Sequence, residues 1–115
     1  MPEFEDPWVA PALADGRLGY LELIGRSGRP RRVHLGFARR VDGALVVGAA
    51  HRSSRWQYDL LARPRCHFQI LGADAAYEAV ELAGTDRAEG EAALVERYAA
   101  NAPRHRLFLL RPVPP

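Results

Sequence analysis

The chain has 115 residues, 48% hydrophobic and 26% charged, with sixteen arginines, no lysine, fourteen acids and a net charge of +2. That is the size and balance of one ordinary domain, and no run approaches the roughly 18 apolar residues of a membrane helix. A single cysteine, Cys66, excludes an internal disulfide framework and a multi-cysteine metal site, and the four histidines (34, 51, 67 and 105) show no zinc-type spacing.

Residues 1–17 read as an N-terminal arm. Pro2, Pro7 and Pro11 stand among acids, and proline removes a donor and fixes φ. Trp8 and Val9 are the arm's candidates for docking on the body. The opening is acidic where a secretory leader would be basic and then apolar, so a cytoplasmic protein is expected. Asp15-Gly16 is a turn, and residues 19–24 form a strand that ends at Gly25. Ser27-Gly28 with Pro30 makes a tight turn. The next run alternates, with Val33, Leu35 and Phe37 on one face and Arg32, His34 and Gly36 on the other, a half-buried strand. Asp42-Gly43 predicts a type I′ hairpin turn, and residues 44–50 the returning strand, apolar on both faces and therefore central.

Ser53 or Ser54 is the predicted cap of a short helix running to Ala62, which Pro64 ends. Residues 65–71 alternate with Cys66, Phe68 and Ile70 inward. Gly72-Ala73-Asp74 is a turn, and residues 77–82 a strand. Thr85 is the predicted N-cap of a helix from Asp86 to about Ala100. Its apolar face is Ala88, Ala92, Val95 and Tyr98 with Leu94, and it is expected as a lid over one barrel end, closed by Asn101 and Pro103. Residues 106–111 are a last strand. The order predicts a mainly β (α+β) fold, a small antiparallel split barrel of about six strands spanning residues 18–112, with one short helix and one in the C-terminal half.

The charge is segregated along the chain. Residues 26–65 hold ten arginines against two acids, a net of +8, and the rest of the chain carries −6. Clustered guanidinium forks with few acids suit an anionic partner.

The same stretch resembles the deazaflavin (F420)-dependent nitroreductase family of the split β-barrel flavin-binding superfamily. The likeness lies in Gly25-Arg26-Ser27-Gly28-Arg29-Pro30-Arg31 at a strand turn, the Asp42-Gly43 hairpin and the Leu45 to Ala50 strand. It continues in the helix Trp56-Gln57-Tyr58-Asp59-Leu60-Leu61-Ala62-Arg63-Pro64 and, in order, through Phe68-Gln69-Ile70, Tyr77-Glu78, the acidic helix and the strand before Pro112. The resemblance implies an oxidoreductase that binds coenzyme F420, with FMN the alternative, and passes a hydride to a small electron-poor organic acceptor. It implies cofactor contacts from Arg26, Arg31, Arg32, Val33, His34 and Leu35, from Ala49, Ala50, His51, Arg52, Ser53 and Ser54, and from Trp56 and Asp59. Related barrels pair, so a homodimer is part of the same expectation.

The chain departs from the family pattern at four places. Glu22-Leu23-Ile24 replaces a Thr-rich strand end, and His34 stands where Pro is common. His51-Arg52-Ser53-Ser54 replaces a Lys-Gly-Gly loop, and Gln57 and Asp59 stand where Tyr and Asn are usual. The proton-donor candidates are His51 and Tyr58, with Tyr20 and His34 behind them. A binding protein of the same fold without fast chemistry is the alternative reading. A small basic barrel binding nucleic acid is the second alternative, but nucleic acid is not the expected partner, because Arg32, His34 and Gly36 on the outward face carry no stacking ring.

Overall fold

The computed structural model describes residue 7, residues 9–98 and residues 104–114. Trp8 and the expected helix stop at Asn101 and Pro103 lie outside them. Among the described residues a seven-stranded sheet, antiparallel throughout, carries three helices. The strands are β1 (Leu18–Ile24), β2 (Pro30–Gly36), β3 (Ala38–Arg39), β4 (Leu45–Ala49), β5 (Arg65–Ile70), β6 (Ala73–Glu81) and β7 (Arg106–Pro112), in sheet order β2-β1-β5-β6-β7-β4-β3. The sheet curls until β2 lies alongside β4, and among the described residues no ladder joins the two. That gap is the split of a small split barrel.

Period-two patterning builds the interior. Leu21 and Leu23, Leu45, Val47 and Ala49, Cys66, Phe68 and Ile70, and Phe108 and Leu110 meet inside, with Val33 and Leu35 packed at the margin. Phe37 and Phe68 pack edge to face at 5.4 Å. β4 is apolar on both faces because Leu45, Val47 and Ala49 enter the barrel while Val46 lies beneath a helix outside it.

That outer helix is α3 (Gly84–Tyr98), which starts two residues before the expected Asp86. It covers the outside of β3, β4 and β7 and is not a lid on the barrel end. Its buried positions are Gly90 and Leu94, and the expected face residues Ala88 and Ala92 point to solvent. Close approach decided the face. A Cβ at Gly90 would stand 3.1–3.2 Å from Leu82, Leu107 and Val46, so the residue without a side chain sits nearest the sheet. The barrel end is filled by α2 (Trp56–Ala62), whose Trp56 and Leu60 enter the main core.

Two turns differ from expectation. At Asp42-Gly43 only Gly43 has positive φ (86°), and Gly43 N–H donates to Arg40 C=O at 3.1 Å while Arg40 N–H donates to Ala44 C=O at 2.8 Å. This is a three-residue loop in which a type I turn is followed by a left-handed glycine. Asp42 Oδ1 accepts from Ala44 N–H at 3.0 Å. The two-residue turn with both central residues at positive φ lies instead at Leu71 (51°) and Gly72 (83°), and β6 therefore begins at Ala73, where a turn was expected. The segment read as an arm contains α1 (Val9–Ala14), whose Val9 is buried.

Candidate active site

The β1–β2 turn and α2 form the walls of an open groove of about 780 Å³, lined by Arg26, Ser27, Arg31, Arg55, Tyr58 and Asp59. Local geometry explains the walls. Gly25 N–H donates to Arg29 C=O at 2.8 Å, and Gly28, at φ 84°, donates to Gly25 C=O at 2.9 Å. This compact turn presents Arg26 and Ser27 outward, at the head of β2. Arg63 Nη1 donates to Gly25 C=O at 3.3 Å and ties the end of α2 to the turn. Arg31 Nη1 meets Asp59 Oδ2 at 2.8 Å, with side chains 40% and 10% exposed. An ion pair this open contributes little stability; what it does is fix the direction of one guanidinium.

The alternation of β2 divides the expected contacts between two faces. Arg31 turns toward α2 and the groove. Arg32 turns outward, donating from Nη2 to Gln69 Oε1 at 3.0 Å and lying 4.0 Å over the Tyr20 ring. His34 stands opposite Tyr20 in register, on the same outer face. The side chains of Arg32, His34 and Tyr20 are thus absent from the groove. Val33 and Leu35 direct theirs into the core, so only their backbone could meet a ligand. Trp56 is likewise a core residue, 5% exposed and packed on Phe108 at 5.8 Å. Ala49 is buried, and its carbonyl accepts from His105 N–H at 2.8 Å.

Ala50, His51, Arg52 and Ser53 are exposed and Ser54 half-buried, in a loop that leads into α2. The expected serine cap is absent. Arg55 occupies the N-cap position without a side-chain bond. Gln57 organises the loop in its place, donating from Nε2 to His51 C=O and Ser54 C=O, both at 2.9 Å. Tyr58 Oη donates to Arg52 C=O at 2.7 Å, and Arg106 lies 5.7 Å over its ring. Gln57 and Arg55 were not among the sequence candidates. Nothing in a heptapeptide of mixed polarity marks which amide will be buried, whereas Arg55 could have been found from its place at the helix start.

The antiparallel split barrel thus carries a cationic groove at the head of β2, a setting for an anionic ligand. The family model described as F420H(2)-dependent quinone reductase matches residues 12–107, and the chain belongs to that family. It is an F420H2-dependent oxidoreductase, and coenzyme F420 is its cofactor. Among solved structures it is similar to an F420-H2 dependent reductase, at 19% identity and a TM-score of 0.70, covering 83% of this chain and 94% of that one. A protein described as a domain-swapped dimer matches at 19% identity and a TM-score of 0.72 over 90% and 94% of the two chains. A heme binding protein from Mycobacterium smegmatis matches at 17% and 0.72 over 96% of this chain and 53% of that one. No curated protein matches by sequence. The groove suits the anionic part of F420: three guanidinium groups face it against one carboxylate, and planar forks match phosphate and carboxylate oxygens.

Proposed function

We propose that the chain passes a hydride from reduced F420 to a quinone-type or similarly electron-poor small molecule, with the phosphate and acidic tail of the cofactor held between the β1–β2 turn and α2. The observation that carries this reading is the charge of the groove, three arginines against an aspartate already committed to Arg31. Reduced F420 supplies the hydride when bound. Arg26 and Arg55 bind oxygen anions, and Arg31, aimed by Asp59, orients them. The loop of residues 51–54 borders the bound cofactor. A reduced quinone needs a proton as well, and His51 is the donor in this reading. Tyr58 is second, because its hydroxyl proton is already given to the Arg52 carbonyl.

A fluorescence titration with F420, run beside FMN, tests the groove. Arg26→Ala and Arg31→Ala are each expected to weaken F420 binding about tenfold, the scale of one charge-assisted hydrogen bond. Arg32→Ala, on the outer face, is expected to bind as wild type. Equal losses for Arg31→Ala and Arg32→Ala would remove the groove assignment, and wild-type binding weaker than about a millimolar, worth some 4 kcal/mol, would remove the cofactor site. Tight FMN binding without F420 binding would point to the other cofactor. In turnover with F420H2 and a soluble quinone, His51→Ala is expected to lower kcat about a hundredfold and Tyr58→Phe much less; an unchanged His51→Ala rate removes the proton-donor role.

A further inference from the structure

We infer that Gln57 is a positioning residue for the cofactor, its buried amide setting the path of residues 51–54 and so the backbone they present. The inference rests on the reading that this loop borders bound F420. Gln57 is 0% exposed, the one buried polar side chain among the described residues. Burying an amide is costly unless its hydrogen bonds are made. Here all are made: Nε2 donates to the carbonyls of His51 and Ser54 at 2.9 Å each, and Oε1 accepts from Arg106 Nε at 3.0 Å. The partners also fix which end is which, since two carbonyls require the NH2 and a guanidinium requires the oxygen. Arg106 is anchored in turn by Glu81 Oε1, 2.7 Å from its Nη1.

Both donated bonds go to the loop and none to the barrel. An apolar side chain of the same length between Trp56 and Leu60 would fill the core position; what it would not do is hold the loop. With Tyr58 on the Arg52 carbonyl, three of the four carbonyls of residues 51–54 are turned toward α2. A trans peptide sets C=O and N–H in opposite directions, so the N–H groups of Arg52, Ser53 and Arg55 turn away from the groups that hold those carbonyls. Gln57 thus acts through the loop without touching the reacting atoms. It also stands at one of the positions where the chain departs from the family pattern, beside the altered loop itself.

The test compares F420 affinity by fluorescence for wild type, Gln57→Leu and Gln57→Glu between pH 5.5 and 8.5, with circular dichroism to verify folding. The charged or titrating groups around the site are Arg106 on β7, Glu81 on β6, His51, Arg52 and Arg55 in the loop, and Tyr58 and Asp59 on α2. All are common to the three proteins, so the difference from wild type isolates residue 57. Gln57→Leu is expected to bind about tenfold more weakly at every pH, the scale of lost buried hydrogen bonds. Gln57→Glu keeps an acceptor for Arg106, whose guanidinium favours the ionised carboxylate, and an ionised carboxylate has no hydrogen to give the two carbonyls. Its affinity is therefore expected about tenfold below wild type across the pH range. The urea midpoint of Gln57→Leu is expected near that of wild type, so that affinity falls without stability; affinity and stability falling together would overturn the inference, as would folded variants that bind like wild type throughout. If Gln57→Leu does not fold, Gln57→Glu alone decides. A wild type that does not bind F420 would overturn the loop reading and this inference together, and that arm is read before any variant.

Discussion

Cys66 shows how placement on one strand face sets the chemistry of a residue. It follows the inward alternation of β5 and is 4% exposed, and burial pushes its thiol from an ordinary 9.0 up to about 12. The folded protein keeps a proton there that the unfolded chain releases, so the stabilising contribution is complete below pH 9 and fades between pH 9 and 12. Tyr77, opposite Cys66 on β6, is also raised, first by burial, and adds to the loss at the alkaline end. Urea denaturation between pH 8 and 11 should show wild type losing more stability than Cys66→Ala, which keeps only the Tyr77 share. Parallel slopes would remove the assignment to Cys66. The inward setting of Cys66 was legible in the sequence because alternation is local. The burial of Gln57 was not, because it depends on β7 bringing Arg106 to meet α2. Alternation likewise explains why only some of the expected cofactor contacts share a groove. A strand that offers Arg31 to one side offers Arg32 to the other.

At the scale of elements, the two glycine-bearing turns invert a simple expectation. Asp-Gly is a strong two-residue hairpin signal, yet here the extra residue Val41 lengthens its loop, and the two-residue turn falls to Leu71-Gly72. Leucine at positive φ carries a strain that asparagine largely escapes. Leu71 is 65% exposed, so little apolar burial would be lost with it. Leu71→Asn is expected to stabilise the protein by about 1 kcal/mol, read from the shift in urea midpoint at unchanged slope. A destabilised variant would mean that the Leu71 contact over Gly16, where a Cβ would lie 3.2 Å from its side chain, outweighs the backbone term. Helix α3 carries a similar lesson. Its existence and acidic start could be read from the sequence, but its packing face could not, because Gly90 has no hydrophobicity to count and acts by allowing approach. Its last turn is fastened by Tyr98, whose hydroxyl accepts from Phe37 N–H at 2.8 Å and donates to the carbonyl of Arg17. Those contacts cross from residue 98 to residues 17 and 37 and leave no local trace.

Across the whole molecule, chain order and sheet order part company. β1 pairs with β5 and β4 with β7, so the basic stretch of residues 26–65 is divided among the β1–β2 turn, β2, the β3–β4 hairpin, a loop and α2, and only part of it, Arg26, Arg31 and Arg55, meets in the groove. The strands and the antiparallel class were legible from period and turn spacing. The curl that brings β2 beside β4 was carried by the family resemblance, since pattern alone does not say where a sheet closes. β2 remains an edge, and unpaired strand edges invite other strands. Its sequence is a guard against that: Pro30 has no N–H to offer, and Arg31, Arg32 and His34 follow it. The Arg31 guanidinium, which lines the groove, therefore also belongs to a barrier against edge-to-edge polymerisation. Replacing Arg31 and Arg32 together by alanine should make dilute, low-salt solutions scatter light where the wild-type protein stays clear. Clear solutions of that variant would leave Pro30 as the guard. Colloidal stability and the proposed ligand recognition would then prove to be separate properties of this edge, where the proposal gives both to one guanidinium.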